Sequence, residues 1–339
     1  YMGHITQKLW GKIDEQEVFL FTLTNKNGMQ VNISNFGGII QSLKVPSGGE
    51  DIECVLGFNT LEEYLCEEYR KEYPYFGVII GRNAGRIKNG KCPLNGEELN
   101  LSINHNGTQL HGGIQGFDSK VWEVKSVENQ GNPSVKFYYF SEDGQEGFPG
   151  NLKTFVTYTL TENNELRVDY EAETDKPTIV NLTQHSYFNF NKNSDNVLRH
   201  YLQINGDKYV PLNPDYSPTG EILDVKNTHL DYREPNFVHP DIDNAFPRQV
   251  SENEVVGSLY CKETNIKMEV KTSHPVLHIY AGYYVPEFRF GNREKTGQNA
   301  GICFEAQGYA DALNYPQFVS TQLNPDEKYQ FFTIFKFSF

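Results

Sequence analysis

The segment Val18-Phe19-Leu20-Phe21-Thr22-Leu23 is followed by Asn25-Lys26-Asn27-Gly28 and then by Val31-Asn32-Ile33-Ser34-Asn35-Phe36. The second run alternates apolar and polar residues, and an Asn-Gly turn between two such runs indicates a β-hairpin. The same alternation recurs in Leu166, Val168 and Tyr170, in Ile266, Met268 and Val270, and in Phe335 to Phe339 at the C-terminus. Because successive side chains of a strand point to opposite faces, these runs predict half-buried strands.

Helical patterns are scarce in the rest of the chain. Thr60 before Leu61 to Leu65 is typical of a cap on a short helix. No internal repeat, low-complexity tract or charged linker divides residues 1–339, and no alternation of β and α units indicates a nucleotide-binding fold. We therefore predict an all-β chain that folds as one large β-sandwich domain, in which the long Pro-rich stretch from Pro211 to Pro247 forms an edge of the functional site.

Charge and composition exclude several classes of partner. Lys and Arg total 30 against 44 Asp and Glu, which gives a formal net charge of -14. Such a charge repels nucleic acids and anionic membrane surfaces, so we expect neither as a partner. The apolar runs Val18–Phe21 and Phe76–Ile80 are strand-sized, and the residues after Met2 lack the apolar core of a signal peptide. We expect a soluble protein, and we interpret Tyr1, which precedes Met2, as a cloning remnant.

The cysteines indicate a reducing compartment. Cys54, Cys66, Cys92, Cys261 and Cys303 are odd in number, widely scattered and without a Cys-x-x-Cys pair. This pattern favours neither a disulfide framework nor a structural zinc site, so we expect a cytoplasmic protein with no bound metal.

Two apolar segments carry polar residues that a buried strand does not normally hold. If Asn181 to Phe190 is one extended strand, Asn181, Thr183, His185, Tyr187 and Asn189 share one face, which is either solvated or the wall of a polar cleft. In Ile302 to Gln307, Glu305 shares a face with Cys303 and Gln307. A buried carboxylate is either satisfied by an arginine or backbone amides, or it serves as a general base.

Three further motifs are weaker when taken singly. Gly81-Arg82-Asn83-Ala84-Gly85-Arg86-Ile87 is either a tight turn with surface arginines or a donor clamp for ligand oxygens. His111 precedes Gly112 and Gly113, where little side-chain bulk would obstruct a ligand. Asp243 lies beside an aromatic residue within the long loop.

Taken together and in this order, these segments resemble the aldose 1-epimerase (galactose mutarotase) family. The resemblance covers nearly the whole chain, and it rests on Val55–Phe58, Pro74–Gly77, Arg82–Ile87, Leu110–Gly113, Glu146–Gly150, Asn181–Asn189, Asp243–Phe246 and Phe304–Gln307. It implies an antiparallel β-supersandwich with few short helices and with a sugar cleft on its concave side.

The resemblance also implies roles for individual residues in the interconversion of hexose anomers, without a cofactor. His185 corresponds to the family's proton donor and Glu305 to its proton acceptor. Arg86, His111 and Asp243 correspond to residues that contact sugar oxygens. Tyr187 and His278 are expected to line the sugar site. Gly85 stands where many members have Asn, so one polar contact is either lost or replaced by Asn83.

Several alternatives remain open from the sequence. A non-catalytic sugar-binding module would also present a polar cleft, and a glycoside hydrolase would use two carboxylates such as Asp243 and Glu305. A metal-dependent β-barrel enzyme is disfavoured because no His-x-His or His-Glu-x-x-His spacing occurs. Galactose, glucose and phosphorylated hexoses are all possible substrates, and both a monomer and a homodimer fit the sequence.

Overall fold

The computed structural model describes residues 2–339, so the interpretation of Tyr1 as a cloning remnant lies outside the described residues. Strands are numbered β1 to β28 in chain order. Within residues 2–339, every pair of named strands is antiparallel. The predicted antiparallel all-β fold is therefore confirmed.

One layer of the sandwich is a nine-stranded sheet. Its strands lie in the spatial order β11 (Glu123–Glu128), β12 (Ser134–Ser141), β13 (Leu152–Leu160), β14 (Glu165–Thr174), β28 (Tyr329–Ser338), β24 (Ile266–Thr272), β23 (Gly257–Cys261), β18 (Tyr201–Ile204) and β21 (Asn236–Phe237). Every second residue of β24 is buried, and the same holds for most of β14. The period-two pattern read from the sequence is thus a real division between a core face and an outer face.

The opposing layer contains a five-stranded and a four-stranded sheet. The first comprises β1 (His4–Ile13), β2 (Gln16–Thr24), β3 (Gln30–Ser34), β4 (Ile40–Ser47) and β5 (Glu50–Glu53), and the second has the order β17 (Tyr187–Phe188), β26 (Ile302–Gln307), β25 (Val276–Tyr280), β22 (Asp243–Pro247). The predicted hairpin is β2 paired with β3, with Leu23 opposite Val31. Aromatic contacts join the layers, because Phe21 packs on Phe137 at 5.8 Å and Phe188 on Phe335 at 5.4 Å.

Five two-stranded ribbons complete the sheets. They are β7 (Arg86–Lys88) with β10 (Thr108–Leu110), β8 (Lys91–Leu94) with β9 (Glu97–Asn100), β16 (Thr183–Gln184) with β6 (Ile79–Ile80), β15 (Thr178–Ile179) with β27 (Gln322–Leu323), and β19 (Lys208–Tyr209) with β20 (Leu223–Asp224). The predicted strand Phe76–Ile80 is too long, since only β6 is extended. Gly77 has φ +70°, a left-handed conformation that turns the chain before the strand begins.

Helices are few and short, as predicted. They are α1 (Leu61–Leu65), α2 (Glu67–Lys71) and the 3₁₀ turns Phe117–Ser119, Gln145–Gly147 and Ala312–Asn314. Thr60 caps α1: the backbone N–H of Glu63 donates to its hydroxyl at 3.3 Å, and its own N–H donates to the Glu63 carboxylate at 3.1 Å. The cap predicted from the sequence is confirmed.

Candidate active site

The floor of the main cleft is one face of the four-stranded sheet. Every second residue of β26 joins the core, so the intervening residues, Cys303, Glu305 and Gln307, share the opposite face. His278 of β25 lies directly opposite Glu305 in the strand pairing. Asp243 of β22 lies diagonal to His278, within side-chain reach on the same face. Sheet register thus brings together residues that are far apart in sequence.

The cleft has a volume of about 960 Å³. It is lined by every site residue that the sequence analysis proposed, namely Gly85, Arg86, His111, His185, Tyr187, Asp243, His278 and Glu305. The long loop contributes Leu212, Tyr216 and Pro218 to its wall, so the prediction that this stretch forms an edge of the site is confirmed.

His185 and Glu305 form a buried pair at the centre of the cleft. Nε2 of His185 lies 3.4 Å from Oε1 of Glu305, and each side chain is 4% exposed. Among residues 2–339, no lysine or arginine lies within salt-bridge distance of Glu305, so an arginine does not neutralise this carboxylate. The pair places an imidazole and a carboxylate, two groups able to transfer protons, within reach of one ligand in the cleft.

The surroundings of His185 hold its ring in place. Its backbone N–H donates to the carbonyl of Val78 at 2.9 Å, and its own carbonyl accepts from Gly77 at 3.0 Å. Its Nδ1 lies 3.6 Å from Sγ of Cys303, and the ring of Tyr187 lies 5.3 Å away. Burial, together with the charges of Glu305 and Asp243, raises the pKa of the Cys303 thiol, which therefore stays protonated.

His111 is a neutral hydrogen-bond donor. Its Nδ1 accepts the backbone N–H of Gly85 at 3.0 Å, so in the neutral ring the remaining proton is on Nε2. Burial, and then the positive charges of His185 and Arg86, lower the pKa of His111 well below its ordinary value. Its ring lies 5.1 Å from that of His185, which gives the site one fixed neutral donor beside the His185–Glu305 pair.

Gly85 acts through its backbone. Besides donating to His111, it has φ +83°, and a Cβ atom at this position would lie 2.6 Å from the Cβ of Ala310. The suggestion that Asn83 supplies a replacement contact to the sugar is wrong. Asn83 is buried, its amide donates to the carbonyl of Ala84 at 3.2 Å, and it does not line the cleft.

Asp243 and His278 form a second pair in the cleft. Nε2 of His278 lies 2.7 Å from Oδ1 of Asp243, and each side chain is 18% exposed. Burial lowers the pKa of His278, but the hydrogen bond and charge of Asp243, helped by Glu305, outweigh burial and raise it. The pairing orients Asp243 and leaves its second oxygen to accept from a ligand.

The two arginines of the Gly81–Ile87 turn have different roles. Arg82 is 2% exposed and donates to oxygen atoms of Ser141, Glu142, Pro149, Gly150 and Thr178, so it is a structural residue and not half of a clamp. Arg86 lines the cleft with its guanidinium 5.3 Å from the ring centre of Tyr216. Its Nε is buried and has no partner within residues 2–339.

The polar face predicted for Asn181 to Asn189 is neither solvated nor a continuous cleft wall. The segment is buried and forms two short strands, not one. Most of its polar groups instead bind the backbone: Asn181 to Gly308, Thr183 to Ala306, Tyr187 to Pro74, and Asn189 to Asp195 and Ala300. Only the imidazole of His185 and the ring of Tyr187 reach the cleft.

Several cleft residues were not predicted as site residues. Gln307 lines the cleft, and its buried Oε1 has no partner within the described chain; its spacing from Glu305 was the available signal. Tyr75 packs against the imidazoles of both His111 and His185, with ring centres 4.9 and 5.8 Å from theirs. Tyr216 could have been found only through its place in the long loop.

Other features bear on cofactors and location. Donor atoms of His111, His185 and Glu305 lie within 4.8 Å of one another, a spacing that could also hold a metal ion. All five cysteines are free, in agreement with the sequence analysis. None of the helices in residues 2–339 has the length and apolar character needed to span a membrane.

The fold and the cleft define the class: an all-β protein with a buried histidine–carboxylate pair in its main cleft. A sequence model described as aldose 1-epimerase matches residues 20–336. The chain therefore belongs to the aldose 1-epimerase family, and the family and enzyme class predicted from its sequence are confirmed.

Individual relatives agree with this assignment. The chain is 37% identical over 322 residues to the galactose mutarotase of Homo sapiens, covering 91% of each chain. It is 31% identical over 341 residues to the aldose 1-epimerase of Escherichia coli strain K12, covering 96% of each. Its structure resembles the crystal structure of galactose 1-epimerase from Lactobacillus acidophilus NCFM, with a TM-score of 0.85, 28% identity and 98% coverage of each chain.

Proposed function

We propose that the cleft binds a free hexose such as galactose or glucose and interconverts its α and β anomers by acid-base catalysis. The observation that carries the proposal is the 3.4 Å approach of His185 Nε2 to Glu305 Oε1 in a buried setting at the centre of the cleft. A ring opening of this kind needs one base and one acid acting on neighbouring oxygens of the same sugar.

Ring opening would proceed through both groups. Ionised Glu305 takes the proton of the anomeric hydroxyl, the bond between C1 and the ring oxygen breaks, and protonated His185 donates its proton to that oxygen. The product is the open-chain aldehyde. Rotation about the C1–C2 bond by about half a turn exposes the other face of the aldehyde.

Reclosure would reverse both transfers. The released hydroxyl attacks C1 and returns its proton to His185, while the carbonyl oxygen takes the proton back from Glu305. Each residue ends in its starting protonation state, so the cycle consumes no cofactor. The 3.4 Å separation of the two groups allows both to act on neighbouring oxygens of one sugar.

The remaining polar groups would hold the sugar between the pair. Neutral His111 offers an Nε2–H donor, and Arg86 lines the cleft with its guanidinium. Asp243, oriented by His278, offers an acceptor to a sugar hydroxyl. These donors and acceptors around His185 and Glu305 would restrict the bound sugar to one orientation. Holding the reacting oxygens next to the two groups would accelerate the reaction.

The test is polarimetry of freshly dissolved α-D-galactose and α-D-glucose, with and without the protein. We expect the optical rotation to decay faster with protein and to reach the same endpoint. An unchanged decay rate would indicate a sugar-binding module, and release of reducing sugar from a glycoside would indicate a hydrolase. A parallel series with hexose 6-phosphates compares free with phosphorylated substrates.

We further propose a single-domain protein that acts in the cytoplasm as a monomer or homodimer, without nucleic acid or membrane partners. One core cluster includes residues from Ile5 to Phe337, which supports one domain. Free thiols support a reducing compartment, and the net charge of -14 disfavours polyanionic partners. Light scattering of the purified protein measures its oligomeric state.

A further inference from the structure

We propose that His229, His239 and Asp241 form a surface site for a transition-metal dication such as Zn²⁺ or Ni²⁺. Nε2 of His229 lies 3.2 Å and Nδ1 of His239 lies 2.5 Å from the same oxygen, Oδ1 of Asp241. Ligand atoms of the three side chains lie within 4.8 Å of one another. None of the three residues lines the sugar cleft, so the site is separate from the proposed catalytic centre.

The donor set selects the kind of ion. Two imidazole nitrogens and one carboxylate oxygen suit Zn²⁺, Ni²⁺ or Cu²⁺, whereas Mg²⁺ and Ca²⁺ prefer oxygen ligands. With bonds of about 2.0 Å, tetrahedral ligands lie about 3.3 Å apart, which the contact of His229 with Asp241 already matches. The distance between His239 Nδ1 and Asp241 Oδ1 must increase by somewhat less than about 1 Å to reach this value. The side chains of His239 and Asp241 are exposed enough to rotate. Water would complete the coordination.

The backbone that carries His229 is anchored to the core. Its neighbour Leu230 is buried, and the hydroxyl of Thr228 both donates to the carbonyl of Val225 at 2.6 Å and accepts from Leu230 at 3.1 Å. The position of His229 is therefore set before an ion binds. Binding has to order mainly the side-chain rotamers, which lowers its entropic cost.

The second ligand segment is anchored in the same way. The backbone N–H of His239 donates to the hydroxyl of Tyr232 at 2.9 Å, and Val238 and Ile242 are buried on either side of the ligand pair. The two imidazole ring centres lie 4.5 Å apart, with the ring planes inclined at 46°. Because Asp241 precedes Asp243 by two residues, a bound ion would tie the loop of His229 to the start of β22.

The experiment is calorimetric titration of the full-length protein with ZnCl₂ at pH 7.5 in a buffer that does not chelate. His229→Ala and His239→Ala are the test variants, and His4→Ala is a matched control that removes a histidine elsewhere. His185→Asn separates this site from the cluster of His111, His185 and Glu305 in the cleft. We expect one Zn²⁺ equivalent to bind at least tenfold more weakly in both test variants, and to be retained in His4→Ala and His185→Asn.

Thermal melting provides the second measurement. We expect Zn²⁺ to raise the melting temperature of the wild-type protein by a few degrees and to have no such effect on His229→Ala. In EDTA, which removes Zn²⁺, each variant should have the melting temperature of the wild type. If one of the alanine variants melts at a lower temperature, Asp241→Asn, which keeps the side-chain shape, replaces it as the test variant. Unchanged stoichiometry and affinity for Zn²⁺ in His229→Ala and His239→Ala would overturn the proposal.

Discussion

His278 Nε2 lies 2.7 Å from Oδ1 of Asp243, and the same histidine faces Glu305 across the pairing of β25 with β26. One histidine thus lies between two carboxylates on the floor of the cleft. Its hydrogen bond orients Asp243, and against the opposing effect of burial Asp243 and Glu305 in turn raise the pKa of His278. The His278–Asp243 pair makes the stability of the folded protein depend on pH.

His278→Gln should therefore lose more stability at pH 6 than at pH 9. Because the pKa of His278 is raised in the folded protein, its stabilising contribution is fully present below about pH 6.5 and is lost as pH rises through the folded-state pKa. We expect a loss of about 1–2 kcal/mol in the free energy of unfolding at pH 6, measured by urea denaturation. Asp243→Asn is the matched control, because it should remove the same pH-dependent part of the free energy of unfolding. A loss that grows with pH would contradict this account.

Glu305→Gln and His185→Asn should each lose at least about a hundredfold in turnover, because each removes one of the two proton-transfer groups. Polarimetric rates on α-D-galactose measure the loss, and circular dichroism checks that both variants keep the fold. Turnover within about threefold of the wild type in either variant would refute the assigned roles.

Arg86→Ala should reduce activity and Arg82→Ala should reduce stability, even though the two residues are only four positions apart in the sequence. Arg86→Ala should keep a normal melting temperature and lose about ten- to a hundredfold in kcat/KM, because a sugar oxygen loses its donor. Arg82→Ala should lose at least about 3 kcal/mol of stability, because several buried oxygens lose their donor at once. Equal stabilities of the two variants would show that the assignment of structural and binding roles is wrong.

Thr183→Val should destabilise the fold by about 1 kcal/mol and leave the KM for hexose unchanged. Its hydroxyl donates to the carbonyl of Ala306 at 2.8 Å and does not reach the cleft. Chemical denaturation and polarimetry measure the two quantities on the same sample. A KM that rises severalfold at constant stability would restore the interpretation of this strand face as a cleft wall.

Local patterns were sufficient for the main secondary-structure elements. The hairpin of β2 and β3, the cap of Thr60 and the alternation in β14 and β24 depend on neighbours a few residues apart, so the sequence displays them directly. The lengths of individual strands were predicted less well. Gly77 interrupts the apolar run Phe76–Ile80 near its start, so that only Ile79–Ile80 pairs as a strand, and Asn181–Phe190 divides into two short strands.

The chemical character of the site was visible in the sequence because a histidine or carboxylate among apolar residues is costly unless it is used or paired. The sequence therefore singled out His185 and Glu305, while their roles came from family resemblance. Tertiary structure decided which polar residues face the cleft. Arg82 and Arg86 differ only in where their side chains reach. The hydroxyl of Thr183 donates to a backbone carbonyl of β26, whereas the ring of His185 contacts the side chain of Glu305 in the cleft. Such distinctions depend on the pairing of strands distant in the chain, which brings His278 opposite Glu305 and Asp243 beside His278 through contacts that no local pattern encodes.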